Sequence, residues 1–166
     1  MKAVGCSLAF LVLAVTLAMP VSARTLYVAG VSYHFSDHPD GESWNQTHVG
    51  IGYGSEPRFR TEHRHQRLVL GVQTDSLDRW GGYLLAATQW RVRHGRRMDV
   101  DAGFAYGLVY RSANVRGARR ILPTVLPVAE LRGPFRVATV VTAIPAVKLG
   151  GVEVPATAYL QFGVMF

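Results

Sequence analysis

The sequence predicts an all-β fold, an eight-stranded antiparallel transmembrane barrel of the outer-membrane type, and three observations carry that expectation. Hydrophobic residues make up 49% of the chain, yet they come as short alternating runs between polar, Gly- and Arg-rich turns. Beyond the leader, no segment has the roughly twenty consecutive apolar residues of a membrane-crossing helix. The last run ends on an aromatic, Phe166, with Val164, Phe162, Leu160, Ala158, Ala156 and Val154 at every second position before it. Such an ending is the usual closing strand of an outer-membrane barrel and implies handling by the barrel-assembly machinery through Phe166. A closed barrel also removes the sheet edges that hydrocarbon does not tolerate.

Residues 1–23 read as a secretory leader: Lys2, then the apolar stretch LAFLVLAVTL, then Val21-Ser22-Ala23 before Arg24. Cys6, the only cysteine, leaves with it, so the mature chain, residues 24–166, holds no disulfide. That length makes one domain. The formal charge of +7 falls by one with Lys2, and the rest stays basic. Basic exported proteins meet anionic surfaces. No recognition helix or RNA-binding aromatic motif is present, and the arginines cluster between strands, so nucleic acid is not expected. A monomer in the outer membrane is.

Eight strands follow in order. The first, near residues 25–35, puts Tyr27, Ala29, Val31, Tyr33 and Phe35 on one face and Gly30, Ser32 and His34 on the other. A loop with Pro39 and Asp40-Gly41 leads to a Gly-rich second strand over 46–54, whose glycines mark curvature or a crowded lumen. The third, 67–76, places Leu68, Leu70 and Val72 opposite Val69, Gly71 and Gln73. A connection over 77–82 precedes the fourth, 83–93. The fifth alternates most clearly: Met98 to Tyr110 on even positions face one way, and Asp99, Asp101, Gly103, Ala105 and Gly107 the other. In the sixth, ILPTVLPVAEL, Pro123 and Pro127 cannot donate to a ladder and should interrupt pairing. The seventh covers 135–144 and stops at Pro145, and the eighth covers 153–166. Barrels of this size are filled by side chains or hold one small ligand.

Odd strands end at the outer rim if the chain enters from the periplasmic side. That brings His34 together with Asp75 and Ser76, at the end of LVLGVQTDSLDRW, and parity turns His34 and Asp75 inward. A hydroxyl needs a base within reach, and the base needs an orienting group. Histidine, serine and aspartate at one rim could therefore serve acyl transfer. His34 and Ser36 form a second arrangement, weaker because Ser36 begins a loop. His38, His48, His63, His65 and His94 lie in or beside expected turns and read as solvated. His63 and His65 lack the partners of a metal site.

The chain resembles the PagP family, the lipid A palmitoyltransferases of the outer membrane. The likeness runs through LYVAGVSYH, ESWNQTHVGIGYG, TDSLDRW, LPTVLP, TAIP and the AYLQFGVMF ending. It implies a catalytic histidine at His34 and an adjacent catalytic pair at Asp75 and Ser76. The implied reaction moves an acyl chain, palmitate or similar, from a glycerophospholipid to lipid A, with no metal or cofactor. His34 would be the base, Ser76 the nucleophile or transition-state donor, and Asp75 the orienting carboxylate. Arg111, Arg116, Arg119 and Arg120 would hold lipid A phosphates. Pro145, with Pro123 and Pro127, would thin the ladder where lipid enters sideways. The chain departs from the family in three ways. Arg24 leads almost straight into the first strand, where an amphipathic helix is expected; Ala29 stands where a proline is expected; and Gln89 stands for a small residue at the acyl-pocket floor. A shorter acyl chain is the consequence expected of Gln89. Competing readings are a non-catalytic structural or adhesive barrel and a lipid A deacylase.

Overall fold

The computed structural model describes residues 24–166 apart from residues 37, 39, 40, 42, 59, 60, 62, 114–117, 150 and 151. The expected leader and Arg116 lie outside the described residues. Eight strands close into an antiparallel barrel: β1 (Thr25–His34), β2 (Thr47–Gly54), β3 (Arg64–Thr74), β4 (Trp80–Arg93), β5 (Asp99–Ser112), β6 (Arg119–Arg132), β7 (Val137–Ile144) and β10 (Thr157–Met165). β1 closes on β10, from Thr25 opposite Met165 to His34 opposite Thr157. A separate hairpin, β8 (Val147–Leu149) with β9 (Val152–Val154), sits between β7 and β10.

Alternation sets the two faces. On β5, Phe104, Tyr106 and Leu108 are about half exposed to the outside, whereas Asp101 and Ala105 are buried within. Val31, Ile51, Leu84, Trp90, Val125 and Phe162 extend the apolar outer surface around the barrel. A soluble monomer does not carry so continuous an apolar belt; it matches the hydrocarbon-facing band of a membrane barrel. Inside, Ala87, Ala105 and Val128 form a small core with Val69, Leu85 and Val140 packed against it. The Gly-rich strands serve the crowding expected of them: the Tyr83 hydroxyl leaves no room for a Cβ at Gly52 or Gly71.

Several boundaries differ from the expected ones. Tyr27 is 1% exposed and faces the lumen, not the outer surface with Val31 and Tyr33. The cause is a register shift between Val28 and Gly30 against both neighbours, a bulge that resets the parity of everything before it. β3 begins three residues early, at Arg64, and β4 at Trp80, so Gly81 and Gly82 belong to a strand and not to a connection. β7 begins at Val137 because Pro134–Arg136 forms a 3-10 turn. Glu153 belongs to the hairpin, with Pro155 and Ala156 separating it from β10.

β6 corrects the expectation for its prolines on one edge and bears it out on the other. Against β5 the register is unbroken from Arg132 to Arg119, through Pro127 opposite Phe104 and Pro123 opposite Leu108. Against β7 pairing stops at Val128 opposite Thr142. Residues four apart point their N–H positions to the same neighbour, so both missing donors fall on the β7 edge. Above Val128 the β6–β7 seam is therefore unladdered; the Thr142 hydroxyl donates to the Pro127 carbonyl at its closed end, 2.6 Å away.

Candidate functional site

The end of the barrel away from the chain termini gathers the ends of β1, β3 and β5 and the starts of β2 and β10. His34, the last residue of β1, faces inward as its parity requires and is buried. Ser76 follows β3 by two residues in a tight turn and is also buried. His34 Nε2 and Ser76 Oγ are joined by a hydrogen bond of 2.8 Å. The His34 ring stacks on Trp44, centroids 4.9 Å apart and planes 16° apart, and its Nδ1 is buried with no hydrogen-bond partner. The alternative with Ser36 is not formed: Ser36 is exposed, and its carbonyl accepts from the Trp44 indole.

Asp75 takes a different place from the one expected. One carboxylate oxygen accepts the backbone N–H groups of Leu77 and Arg79, and the other that of Ser112. Burial pushes its pKa up, but these bonds and the Ser112 side chain outweigh it and hold Asp75 below the ordinary 3.8. The carboxylate thus orients the turn that presents Ser76 and ties it to the end of β5; it does not orient the imidazole. Asn45 completes the clamp: its backbone N–H bonds the Ser76 carbonyl and its side-chain amide the Asp75 carbonyl. Sequence reasoning missed Trp44 and Asn45, although both lie in the ESWNQTH segment.

Behind this rim lies a cavity of about 150 Å³, walled largely by apolar side chains such as Leu85, Val109, Leu126 and Val128. Asp75, Ser76 and Arg111 stand at its upper end, and Gln89, fully buried, lines it below. Thr142 and Ile144 of β7 contribute the wall beside the unladdered seam, and Val140 lies below it in the paired stretch. Beneath Gln89 a buried ionic network closes the barrel. Arg67 pairs with Glu130, Arg132 with Asp101, and Arg91 Nε lies 2.7 Å from Asp101. Breaking such a pair leaves a bare buried charge, at a cost of about 3–5 kcal/mol.

The expected arginine cluster is divided. Arg111 points into the cavity with its Nε buried and unpartnered, and its charge acts on His34, His48 and Asp75. Arg120 is its cross-strand partner and is exposed. Arg119 lies outside, over the Tyr110 ring at 4.5 Å. The histidines also need correcting: His63 and His94 are exposed, but His38, His48 and His65 are buried. His48 bonds the Ser32 hydroxyl and the Thr74 carbonyl, each at 2.8 Å. The signal for it in the sequence is its shared parity with Gly50, Gly52 and Gly54 on the lumen face of β2. Among the described residues, no group of three or more His, Cys, Asp or Glu could hold a metal ion.

No protein-family model and no curated protein matches the sequence. Among solved structures, the chain is similar to the N-terminal β-barrel domain of Pseudomonas aeruginosa OprF, with 16% identity, a TM-score of 0.49, and coverage of 87% of this chain and 97% of that one.

Proposed function

We propose that the protein is an outer-membrane acyltransferase that moves an acyl chain from a glycerophospholipid to lipid A. The observation that carries this reading is the 2.8 Å contact between His34 and Ser76 at the mouth of an apolar cavity. His34 takes the proton of the attacking hydroxyl, that of Ser76 or of the acceptor, and returns it to the departing glycerol oxygen. Arg111, at the upper end of the cavity, meets the charge that develops on the carbonyl oxygen or the donor phosphate. The acyl chain lies in the cavity, entering through the β6–β7 seam that Pro123, Pro127 and Pro145 flank. Gln89 limits its depth, which favours a chain shorter than palmitate.

The test is transfer from labelled phospholipid to lipid A in detergent by the wild type, His34→Ala and Ser76→Ala. Transfer by the wild type and a loss of about 10²–10⁴-fold in each variant is expected. No transfer, or equal transfer by all three, refutes the reading. One observation favours a non-catalytic structural barrel: no carboxylate or carbonyl orients His34 through Nδ1. Absence of transfer with an intact fold would select that second reading.

A further inference from the structure

A second serine–histidine pair lies inside the barrel just below the rim pair, Ser32 two residues before His34 on the same face of β1. Ser32 on β1 and His48 on β2 are both buried, and both line the cavity. His48 Nδ1 is 2.8 Å from the Thr74 carbonyl, which only accepts, so in the neutral ring Nδ1 carries the proton. Nε2 is then a lone pair, and the Ser32 hydroxyl 2.8 Å away donates to it. This is a hydroxyl already aimed at its base, with the tautomer and ring plane set by a third group. The Tyr159 ring meets the imidazole edge-on at 5.3 Å and further restricts it.

Two features distinguish the pair from buried groups that merely satisfy each other. It borders open space whose remaining wall is mainly apolar. A guanidinium with an unpartnered buried Nε, Arg111, lines that same space and acts on His48.

We propose that Ser32 and His48 form a second nucleophile–base pair, in which Ser32 accepts the acyl group of a carboxylic ester whose chain occupies the cavity. The Ser32 oxygen attacks the ester carbonyl while its proton passes to His48 Nε2. The carbon–oxygen bond to the alcohol breaks, and His48 protonates the departing oxygen. Water, deprotonated by His48, then attacks the acyl-serine; the bond from the acyl carbon to the Ser32 oxygen breaks, His48 returns the proton to that oxygen, and a free carboxylic acid leaves. The pair does not depend on Ser76 or on lipid A as acceptor.

The experiment treats the full chain, folded in detergent micelles, with an alkyl fluorophosphonate and locates the adduct by peptide mass spectrometry. A covalent adduct on Ser32 of the wild type, retained in Ser76→Ala and formed about 100-fold or more slowly in His48→Gln, is the expected result. An adduct on Ser76 alone, no adduct, or a Ser32 adduct indifferent to His48→Gln overturns the proposal. The site of labelling is read on the wild type, so the test still discriminates if His48→Gln fails to fold. Lipid A transfer by the same samples is scored separately, so either idea can fail without the other.

Discussion

The two serine–histidine pairs make the same 2.8 Å contact but are held by different means. At the rim, His34 is held by its face against Trp44, and its second nitrogen is buried without a partner. In the lumen, His48 is gripped by its edge, through the Thr74 carbonyl, and its second nitrogen is committed. Stacking fixes a ring plane but not a tautomer; a carbonyl fixes both. The rim histidine therefore exchanges its proton only through Nε2, the nitrogen that meets the Ser76 hydroxyl. The inner pair is preorganised for one direction of transfer. Distance alone does not distinguish them, but the far side of each ring does.

The largest expected effect comes from removing one base at a time. His34→Ala should cut lipid A transfer by about 10²–10⁴-fold and leave fluorophosphonate labelling of Ser32 intact. Parallel loss of both signals would break the separation. Next comes Asp75→Asn, which puts an amide donor among the N–H groups of Leu77, Arg79 and Ser112. It should loosen the turn that holds Ser76 by about 1–3 kcal/mol, seen as faster hydrogen exchange at Leu77 and Arg79, with labelling of Ser32 unchanged. The wild type should show the same loosening in acid. The Asp75 pKa in the folded protein lies below 3.8, so its contribution is complete above that value and is lost as pH falls through the lower folded pKa. Unchanged exchange on acidification would remove Asp75 as the anchor.

Trp44→Ala tests the face-on grip. An aromatic contact contributes about 0.5–1.5 kcal/mol, so transfer should fall by up to about tenfold, with no effect on Ser32. The smallest effect concerns what the pairs share. Gln89→Ala opens the cavity below both, and should shift preference toward longer chains in transfer and in labelling alike, each added methylene contributing about 0.8 kcal/mol. A panel of alkyl chain lengths measures it. A shift in one reaction only would place the two chains in different space.

Much of this was legible in the sequence where alternation was strict. β5 reads off its period of two, and rim geometry follows from counting strands, which is how His34 at the end of β1 and Ser76 just past β3 come to meet at one rim. The partner of Asp75 was not legible, because a carboxylate beside a serine suits a relay and a turn equally well. Its three backbone donors depend on how the chain curls after Thr74. His48 reads as solvated through its closeness to the loop at Asn45, although its parity with the β2 glycines points inward. The β8–β9 hairpin was hidden because VKLGGVEV runs into β10 with no change of composition, only Pro155 marking the break. Pairing at the prolines could be read as a loss but not assigned to an edge. Which edge depends on where each neighbour lies, and the neighbour on one side stays fully paired.

The bulge between Val28 and Gly30 has a consequence for how this barrel tolerates change in length. Both of its sides carry inward residues that matter: Tyr27 before it, and Ser32 and His34 after it. Deleting Ala29 would restore uniform alternation with Tyr27, Ser32 and His34 all still inward, because Val28 and Gly30 already pair with consecutive residues of β10. Deleting Tyr33 instead would make Ser32 and His34 adjacent, so that one of them turns toward the outer belt and one serine–histidine contact is lost. The strand therefore tolerates the loss of a residue at the bulge but not between its two functional side chains.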